Sequence, residues 1–256
     1  MKRIIVFRIV SNTALGSNYT LMKLTPEDNA ELPDTCPGQF VQIYVPDSKS
    51  TYLRRPISIN FVDKKSNQLW LLIRNAGDGT AALMRMKAEE RLNIIMPLGN
   101  GFTLPSDGER KLLLVGGGVG VAPLYALGHK LVDGGYRPVF LLGARSESDL
   151  LMLDEFKALG DVMICTDDGS VGHHGVVTTH EVMNGTFDRI YCCGPMPMMK
   201  AVANMVRNSG AECEVSLENT MACGVGACLC CVEPTVKGNV CVCTEGPVFN
   251  INQLTW

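Results

Sequence analysis

From the N-terminus to about residue 105, apolar positions come in short runs: Arg3–Val10, Tyr19–Leu24, Gln39–Val45, Ile57–Val62, Gln68–Arg74 and Leu92–Met96. Turn formers separate them. Runs of this length, rich in β-branched and aromatic residues and bounded by Gly, Pro, Asn or Asp, predict strands. Their succession predicts an antiparallel barrel or sandwich. One patch departs from the series, Thr80-Ala-Ala-Leu-Met-Arg-Met86, whose spacing is helical. It follows the glycine turn Gly77-Asp78-Gly79, so its N-terminus is free to meet an anion.

From about 110 to 208 the pattern changes to apolar runs alternating with helical stretches. Lys111–Val115, Pro138–Leu142, Val162–Thr166 and Arg189–Cys193 read as buried parallel strands, and Pro123–Val132, Asp149–Leu159 and Pro197–Asn208 as helices between them. This alternation predicts an α/β layer domain. With no repeat and no low-complexity tract to mark boundaries, the switch in pattern divides the chain at 1–105, 106–209 and 210–256.

Length and composition narrow the function. At 256 residues the chain suits two modules, or two with an appendage, at ~150 residues each. Hydrophobic residues make up 46%, charged residues 19%, and the net charge is −3, which excludes a disordered polymer and a polybasic nucleic-acid binder. The longest charge-free run, Leu112–Gly128, is shorter than the ~20 residues a spanning helix needs and is broken by glycines and Pro123. Arg8 interrupts the opening apolar stretch, so the N-terminus is expected to be a first strand, not a signal peptide.

The cysteines are lopsided. Seven of 11 fall between Cys213 and Trp256. Without a leader, such a cluster points to metal in a reducing compartment, and the expected location is the cytoplasm. Within it, Cys223-x4-Cys228-x2-Cys231 is followed by Cys243 after eleven further residues. Thiolates at this spacing, with Gly224 and Gly226 relaxing the loop, follow the plant-type arrangement for a [2Fe–2S] cluster. Zinc is the competitor, although structural zinc sites usually pair ligands on two short knuckles. Cys213, Cys230 and Cys241 are left over as buried or incidental thiols, and Cys241 is expected to face away from Cys243. His129, His173, His174 and His180 form no constellation and are expected on loops or helix surfaces.

Three segments at strand ends should line one crevice, where open α/β sheets take ligands. They are Gly116-Gly117-Gly118-Val119-Gly120, leading into a helix; Gly143-Ala144-Arg145-Ser146; and Cys193-Gly194-Pro195-Met196. Gly117, Gly118 and Gly120 offer bare amides to a phosphate, while Arg145, Cys193, Gly194 and Pro195 complete the cleft. Taken singly, Arg145 fits a solvated charge and Cys193 a buried small thiol as well as a ligand contact, while the glycine turn leans towards a ligand over a plain strand-to-helix turn. In the first module, Arg54-Arg55-Pro56-Ile57-Ser58 sets guanidinium, fixed φ and hydroxyl at a strand entry, suited to a phosphate or the polar edge of a flavin. Gly79 and Thr80 could take the other end of a pyrophosphate.

The order RPIS, GGGVGVAP, GARS, Thr166-Asp167-Asp168-Gly169-Ser170 and CGPMPMM resembles the ferredoxin–NADP reductase superfamily. The ending, Met221-Ala222-Cys223-Gly-Val-Gly-Ala-Cys228-Leu-Cys-Cys231 with Cys243-Thr-Glu-Gly-Pro-Val-Phe, resembles the electron-transfer subunits of bacterial NAD-linked class 1B dihydroorotate dehydrogenases. Cys230 stands where similar proteins more often have glycine. The resemblance implies a multidomain β plus α/β fold: an antiparallel flavin-binding barrel, a parallel-sheet nucleotide-binding domain, and a small C-terminal plant-ferredoxin-like [2Fe–2S] module. It implies FAD held by Arg55, Pro56, Ile57, Ser58, Leu72, Ile73, Arg74, Gly79 and Thr80, NAD in the cleft, and the cluster on Cys223, Cys228, Cys231 and Cys243. It further implies no catalytic side chain of this chain's own. Electrons would come from dihydroorotate through an FMN-containing catalytic subunit, in a heterotetramer with two of each chain. Two alternatives remain open: a reductase subunit of a sulfide dehydrogenase, hydrogenase or transhydrogenase complex, and a zinc-stabilised, non-redox interaction module.

Overall fold

The computed structural model describes residues 2–46, 48 and 50–256; Met1, Asp47 and Lys49 lie outside them. Six antiparallel strands close into a barrel: β1 (Arg3–Leu15), β2 (Tyr19–Pro26), β3 (Phe40–Ile43), β4 (Arg55–Asp63), β5 (Gln68–Arg74) and, after helix α1 (Asp78–Arg85), β6 (Arg91–Leu98). Their order around the barrel is β1-β2-β5-β4-β3-β6. Residues such as Phe7, Ile9, Met22, Leu71 and Ile94 fill the interior. β1 outruns its apolar pattern: past a bulge between Ile9 and Ser11, the polar stretch to Leu15 continues because β2 pairs with it through Leu15↔Tyr19. Backbone hydrogen bonds carry that extension, and side-chain hydrophobicity does not register it.

β3 shows the period of two that matters for the site. Val41 and Ile43 point into the barrel core, whereas Phe40 belongs to the core on the other side of the barrel wall. Gln42 shares the face of Phe40. Across the ladder, Phe40 opposes Ser58, Val41 opposes Ile57 and Gln42 opposes Pro56.

The second unit is a seven-stranded sheet built from β7 (Leu112–Gly117), α2 (Val121–Asp133), β8 (Val139–Ala144), α3 (Leu153–Lys157), β9 (Asp161–Thr166), β10 (His173–His174), β11 (Arg189–Cys193), α4 (Met196–Val206) and β12 (Glu212–Ser216). The chain then makes a small hairpin, β13 (Val232–Thr235) and β14 (Gly238–Cys241), a single helical turn α5 (Val242–Glu245), and β15 (Val248–Asn250). The sheet order is β10-β9-β8-β7-β11-β12-β15, parallel except for the last pair. Every residue of β7 is buried, as a central parallel strand with both faces covered requires. The order reverses between β7 and β11, which opens a crevice at their carboxyl ends.

Two elements differ from the pattern. The helix expected over 149–159 shrinks to Leu153–Lys157, because Met152 takes a left-handed φ of 55° that a continuous helix cannot pass through. The last segment also reaches back into the preceding unit. β12 and β15 both belong to the α/β sheet, with Ser216 paired directly opposite Val248. One apolar core accordingly joins Phe40 and Leu98 of the barrel, Val115 of β7 and the Cys231 and Cys243 side chains.

The histidines need correction. His173 and His174 form β10, paired to β9, and His129 is half-buried on α2, its ring 4.5 Å from that of Phe61 and 4.7 Å from that of Tyr125. His129 thus helps pack the α/β unit onto the barrel. At the foot of β11, Arg189 meets Glu109 through two hydrogen bonds of 3.0 and 3.2 Å, with side chains only 7% and 18% exposed. Burial alone would raise the Glu109 carboxyl, but the hydrogen bonds from Arg189 and Ser106 prevail and hold it below the usual carboxylate range.

Candidate functional site

The cysteine loop lies against β3 of the barrel through Gly224 and Gln42, and Cys231 shares an apolar core with Val242 and Cys243 of α5. Cys231 and Cys243 are buried, Cys223 is half-buried and Cys228 is exposed, so the loop has an inner and an outer pair of ends. Positive φ values at Gly224 (70°) and Gly226 (86°) turn the chain around its own sulfurs. Those turns aim backbone donors inward. Cys223 Sγ accepts N–H groups from Val225 and Ala227 at 3.4 and 3.3 Å, Cys243 Sγ accepts from Gly226 at 3.2 Å, and Cys231 Sγ accepts from Cys243 at 3.4 Å.

Neutral thiols gain little from so many donors, whereas thiolates and cluster sulfurs gain much. The donors act visibly on Cys223: hydrogen bonding, first from Val225, brings its thiol down to about 6. On the inner side, burial followed by contact with Cys231 pushes Cys243 up to about 12. Cys223 lies near Cys228, and Cys231 near both Cys243 and Cys241. Among the described residues, no three Cys, His, Asp or Glu side chains converge on one point as a single-ion site. Backbone donors aimed at three of the four thiols suit a group rich in thiolate and sulfide charge, as a [2Fe–2S] cluster is.

Cys241 corrects an expectation. It does not face away: its thiol contacts that of Cys231 and lies within electrostatic range of Cys228 and Cys223. Residues two apart on a strand share a face, and in any case β14 ends at Cys241, where α5 begins. Cys230 lies outside the group, its Sγ directed at the Thr220 carbonyl 3.7 Å away. Cys213 is buried in β12, its thiol pushed up to about 12, chiefly by burial.

On the barrel, the structure separates the two arginines. Arg54 is spent internally, on the carbonyls of Asn93 and Gln42 at 2.9 and 3.3 Å. Arg55 bonds only the carbonyls of Leu53 and Arg54, with no carboxylate partner among the described residues. A Cβ added at Gly79 would lie 2.6 Å from Arg55 Nε and 3.1 Å from Thr51 Cγ2, so the guanidinium rests against the start of α1. Thr80 Oγ1 accepts from the Ala76 N–H at 2.8 Å and donates to the Gly77 carbonyl at 3.0 Å, which fixes that turn. Thr51, buried and with a hydroxyl that finds no partner among the described residues, joins this group. No sequence signal marks it. A phosphate fits what remains: a bare cation, an orphaned hydroxyl and a helix start without a side chain in the way.

Of the neighbouring strand, Ile73 is committed to the barrel core and Leu72 to the core against the α/β unit, so these two present backbone, while Arg74 is exposed. Ile57 packs against the barrel core, and Pro56 and Ser58 lie on the outer face with Gln42 and Phe40.

Between barrel and sheet lies a cavity of about 600 Å³, whose lining includes Gly117, Gly118, Arg145 and Pro195 of the expected cleft together with Arg74, which was expected at the flavin. Gly120, Cys193 and Gly194 serve it from behind. A Cβ at Gly120 would come within 2.5 Å of the Cys193 carbonyl oxygen and the Gly194 Cα, so Gly120 permits the β7 and β11 turns to touch. Cys193 is fully buried, and burial raises its thiol well above the usual range. The missed lining residues include Asn18 and Tyr19 from the barrel, and Asp149, Asp167 and Val176 from the sheet loops. Nothing local in the sequence joins the β1–β2 turn to a cleft in another unit. Glu218, just past β12, keeps contact with solvent although protein surrounds most of it; desolvation raises its carboxyl, and Arg74 opposes the shift.

Known proteins agree with this architecture. The family described as the iron-sulfur cluster binding domain of dihydroorotate dehydrogenase B matches residues 218–255, and the oxidoreductase NAD-binding domain matches residues 114–204. The dihydroorotate dehydrogenase B (NAD(+)) electron transfer subunit of Fusobacterium nucleatum is 41% identical over 221 residues, 83% of this chain and 84% of that protein. Its counterpart from Lysinibacillus sphaericus is 39% identical over 250 residues, 94% and 95% of the two chains. Among solved structures, a chain from the NADH-dependent reduced ferredoxin-NADP oxidoreductase superposes with a TM-score of 0.86 at 28% identity, covering 98% of this chain and 90% of that one. The FAD/NAD binding domain of a Vibrio cholerae nitric oxide dioxygenase shares the fold, with a TM-score of 0.71 at 19% identity over 82% of this chain and 98% of that one. With identities near 40% sustained over more than four fifths of both partners, the chain belongs to the family of dihydroorotate dehydrogenase B electron transfer subunits.

Proposed function

We propose that this chain is the NAD-linked oxidoreductase component of a dihydroorotate dehydrogenase, carrying reducing equivalents from an FMN-containing catalytic partner to NAD in pyrimidine biosynthesis. Its cofactors are a [2Fe–2S] cluster, FAD and NAD, and when bound they supply one-electron exchange, one- and two-electron exchange, and hydride exchange respectively. The chain's own residues bind and orient these groups and leave dihydroorotate oxidation to the partner. We assign the cluster to Cys223, Cys228, Cys231 and Cys243, with the amides of Val225, Gly226, Ala227 and Cys243 supporting the sulfurs. FAD is assigned to Arg55, Pro56, Ile57, Ser58, Leu72, Ile73, Arg74, Gly79 and Thr80, with Arg55 and the Gly79 turn taking phosphate. The NAD cleft is assigned to Gly117, Gly118, Arg145 and Pro195 at its wall, supported by Gly120, Cys193 and Gly194.

The observation that carries this reading is adjacency. Gly224 of the cysteine loop lies against Gln42 of β3, and Gln42 is paired with Pro56 of the proposed flavin strand. A single side chain therefore separates the two binding elements. The working divisions are 1–105 for FAD, 106–209 for NAD and 210–256 for the cluster, the last anchored through β12 and β15 in the sheet of the second. We place the assembly, two of each chain, in the cytoplasm; among the described residues no helix is long and apolar enough to cross a membrane.

The test is reconstitution with an FMN-containing dihydroorotate oxidase, following NADH formation after dihydroorotate is added. Flavin and iron loaded in full with no NADH produced would refute the proposal. A reductase subunit of a different flavin complex is the second reading, favoured by the likeness to the ferredoxin-NADP oxidoreductase over 98% of the chain. Copurification of a large iron–sulfur subunit in place of the FMN protein would establish it.

A further inference from the structure

Gln42 has no place among the assigned residues, yet its surroundings are unusual. It is 0% exposed, and neither its carboxamide nitrogen nor its carboxamide oxygen has a hydrogen-bond partner among the described residues. It stands on the outer face of β3, between Val41 and Ile43, which point into the barrel. Its strand neighbours are Pro56 of β4 and Ile95 of β6, so no polar side chain meets it across the ladder. What it does meet is the cysteine loop. A Cβ added at Gly224 would lie 2.6 Å from Gln42 Cγ and 2.7 Å from Nε2, and Gly224 follows Cys223 directly. A carboxamide buried without partners is costly, and proteins rarely keep one unless a group outside the polypeptide completes it.

We propose that the Gln42 carboxamide N–H donates a hydrogen bond to the sulfur shell of the cluster beside Gly224, and so sets the cluster's reduction potential from the flavin side. The inference rests on the cluster assignment above. A cluster presents only acceptors, and the donors already aimed at its ligands are all backbone groups of the loop and of α5. Gln42 adds a side-chain donor from the barrel. Donors to cluster sulfurs stabilise the reduced, more negative state and raise the potential. Gln42 is on this account a positioning residue, which tunes electron exchange without itself reacting.

The experiment is an EPR-monitored redox titration of the FAD- and iron-loaded protein, wild type against Gln42→Leu, with iron content and flavin absorbance measured on the same samples. At any fixed potential the ratio of reduced to oxidised cluster is expected to fall about tenfold in the variant, a shift of ~59 mV for one electron. Pulsed ENDOR of the reduced cluster should lose one exchangeable proton coupling, a signature that a purely structural role would leave in place. If Leu prevents cluster assembly, Gln42→Met, unbranched and without a donor, gives the same two readouts. Normal iron with an unchanged midpoint and coupling overturns the proposal, as does a shift confined to the flavin. Wild-type protein without iron would defeat the cluster assignment itself, which separates the two failures.

Discussion

Replacing Arg55 and Gly79 tests whether the barrel grips its cofactor as one unit. Arg55→Ala removes a guanidinium that has no carboxylate partner among the described residues. A hydrogen bond to a charged group is worth about 1.5–3 kcal/mol, and each 1.4 kcal/mol is tenfold in affinity; FAD should therefore bind about 10- to 100-fold more weakly. Gly79→Ala reaches the same outcome by another route. Its methyl would lie 2.6 Å from Arg55 Nε, so the arginine must move, while the 3.1 Å approach to Thr51 Cγ2 demands only a small adjustment. Once Arg55 is alanine that clash is gone, and adding Ala at 79 should cost FAD little more. The assay is fluorescence titration of the apoprotein with FAD for the wild type, both single variants and the double. Free energies that simply add would show that Gly79 and Arg55 act separately, and the reasoning from their contact would fail.

Cys228→Ala should abolish iron incorporation while leaving flavin bound, because one of four thiolates is lost at a distance from the Arg55–Gly79 group; metal analysis with absorbance checks this, and normal iron content would refute the ligand set. Gly120→Ala places a methyl 2.5 Å from the backbone of Cys193 and Gly194, an overpacking worth about 1–3 kcal/mol; the KM for NADH should rise with flavin and iron content unchanged. Glu109→Gln leaves the nearly buried Arg189 without its counter-charge, and thermal or denaturant unfolding should show a loss of about 3 kcal/mol at neutral pH. Since the folded state holds Glu109 below its ordinary value, that contribution is full above the unfolded carboxylate value of about 4.3 and fades as pH falls through the folded one. The wild type should therefore converge on the glutamine variant in acid; a gap that stays constant down to pH 3, roughly a unit below the unfolded value, would count against the pairing.

Much of this was legible because local chemistry and local pattern coincide. Apolar runs gave β7 and β11, and the cysteine spacing gave a loop in which backbone amides are aimed at the sulfurs of Cys223, Cys231 and Cys243. What escaped depends on contacts distant in sequence. The β1–β2 turn with Asn18 and Tyr19 lines a cleft whose other wall begins at Gly117, and no periodicity within either segment announces the meeting. Cys241 escaped for a different reason: residues two apart share a face on a strand, and here the strand in any case gives way to a helical turn after Cys241, so nothing turns its thiol away from the other sulfurs. Residue chemistry alone did not separate the two arginines before Pro56, although the family resemblance picked out Arg55. Only the Asn93 and Gln42 carbonyls around Arg54 show which one is committed internally.

The pairing of Ser216 with Val248 has a mechanical consequence. The stretch holding the cysteines leaves one rigid edge and returns to that same edge, closed at its base like a clasp. Its two ends are held side by side, so a swing of the whole segment away from the sheet, of the kind a tethered shuttle makes, would have to break the β12–β15 ladder.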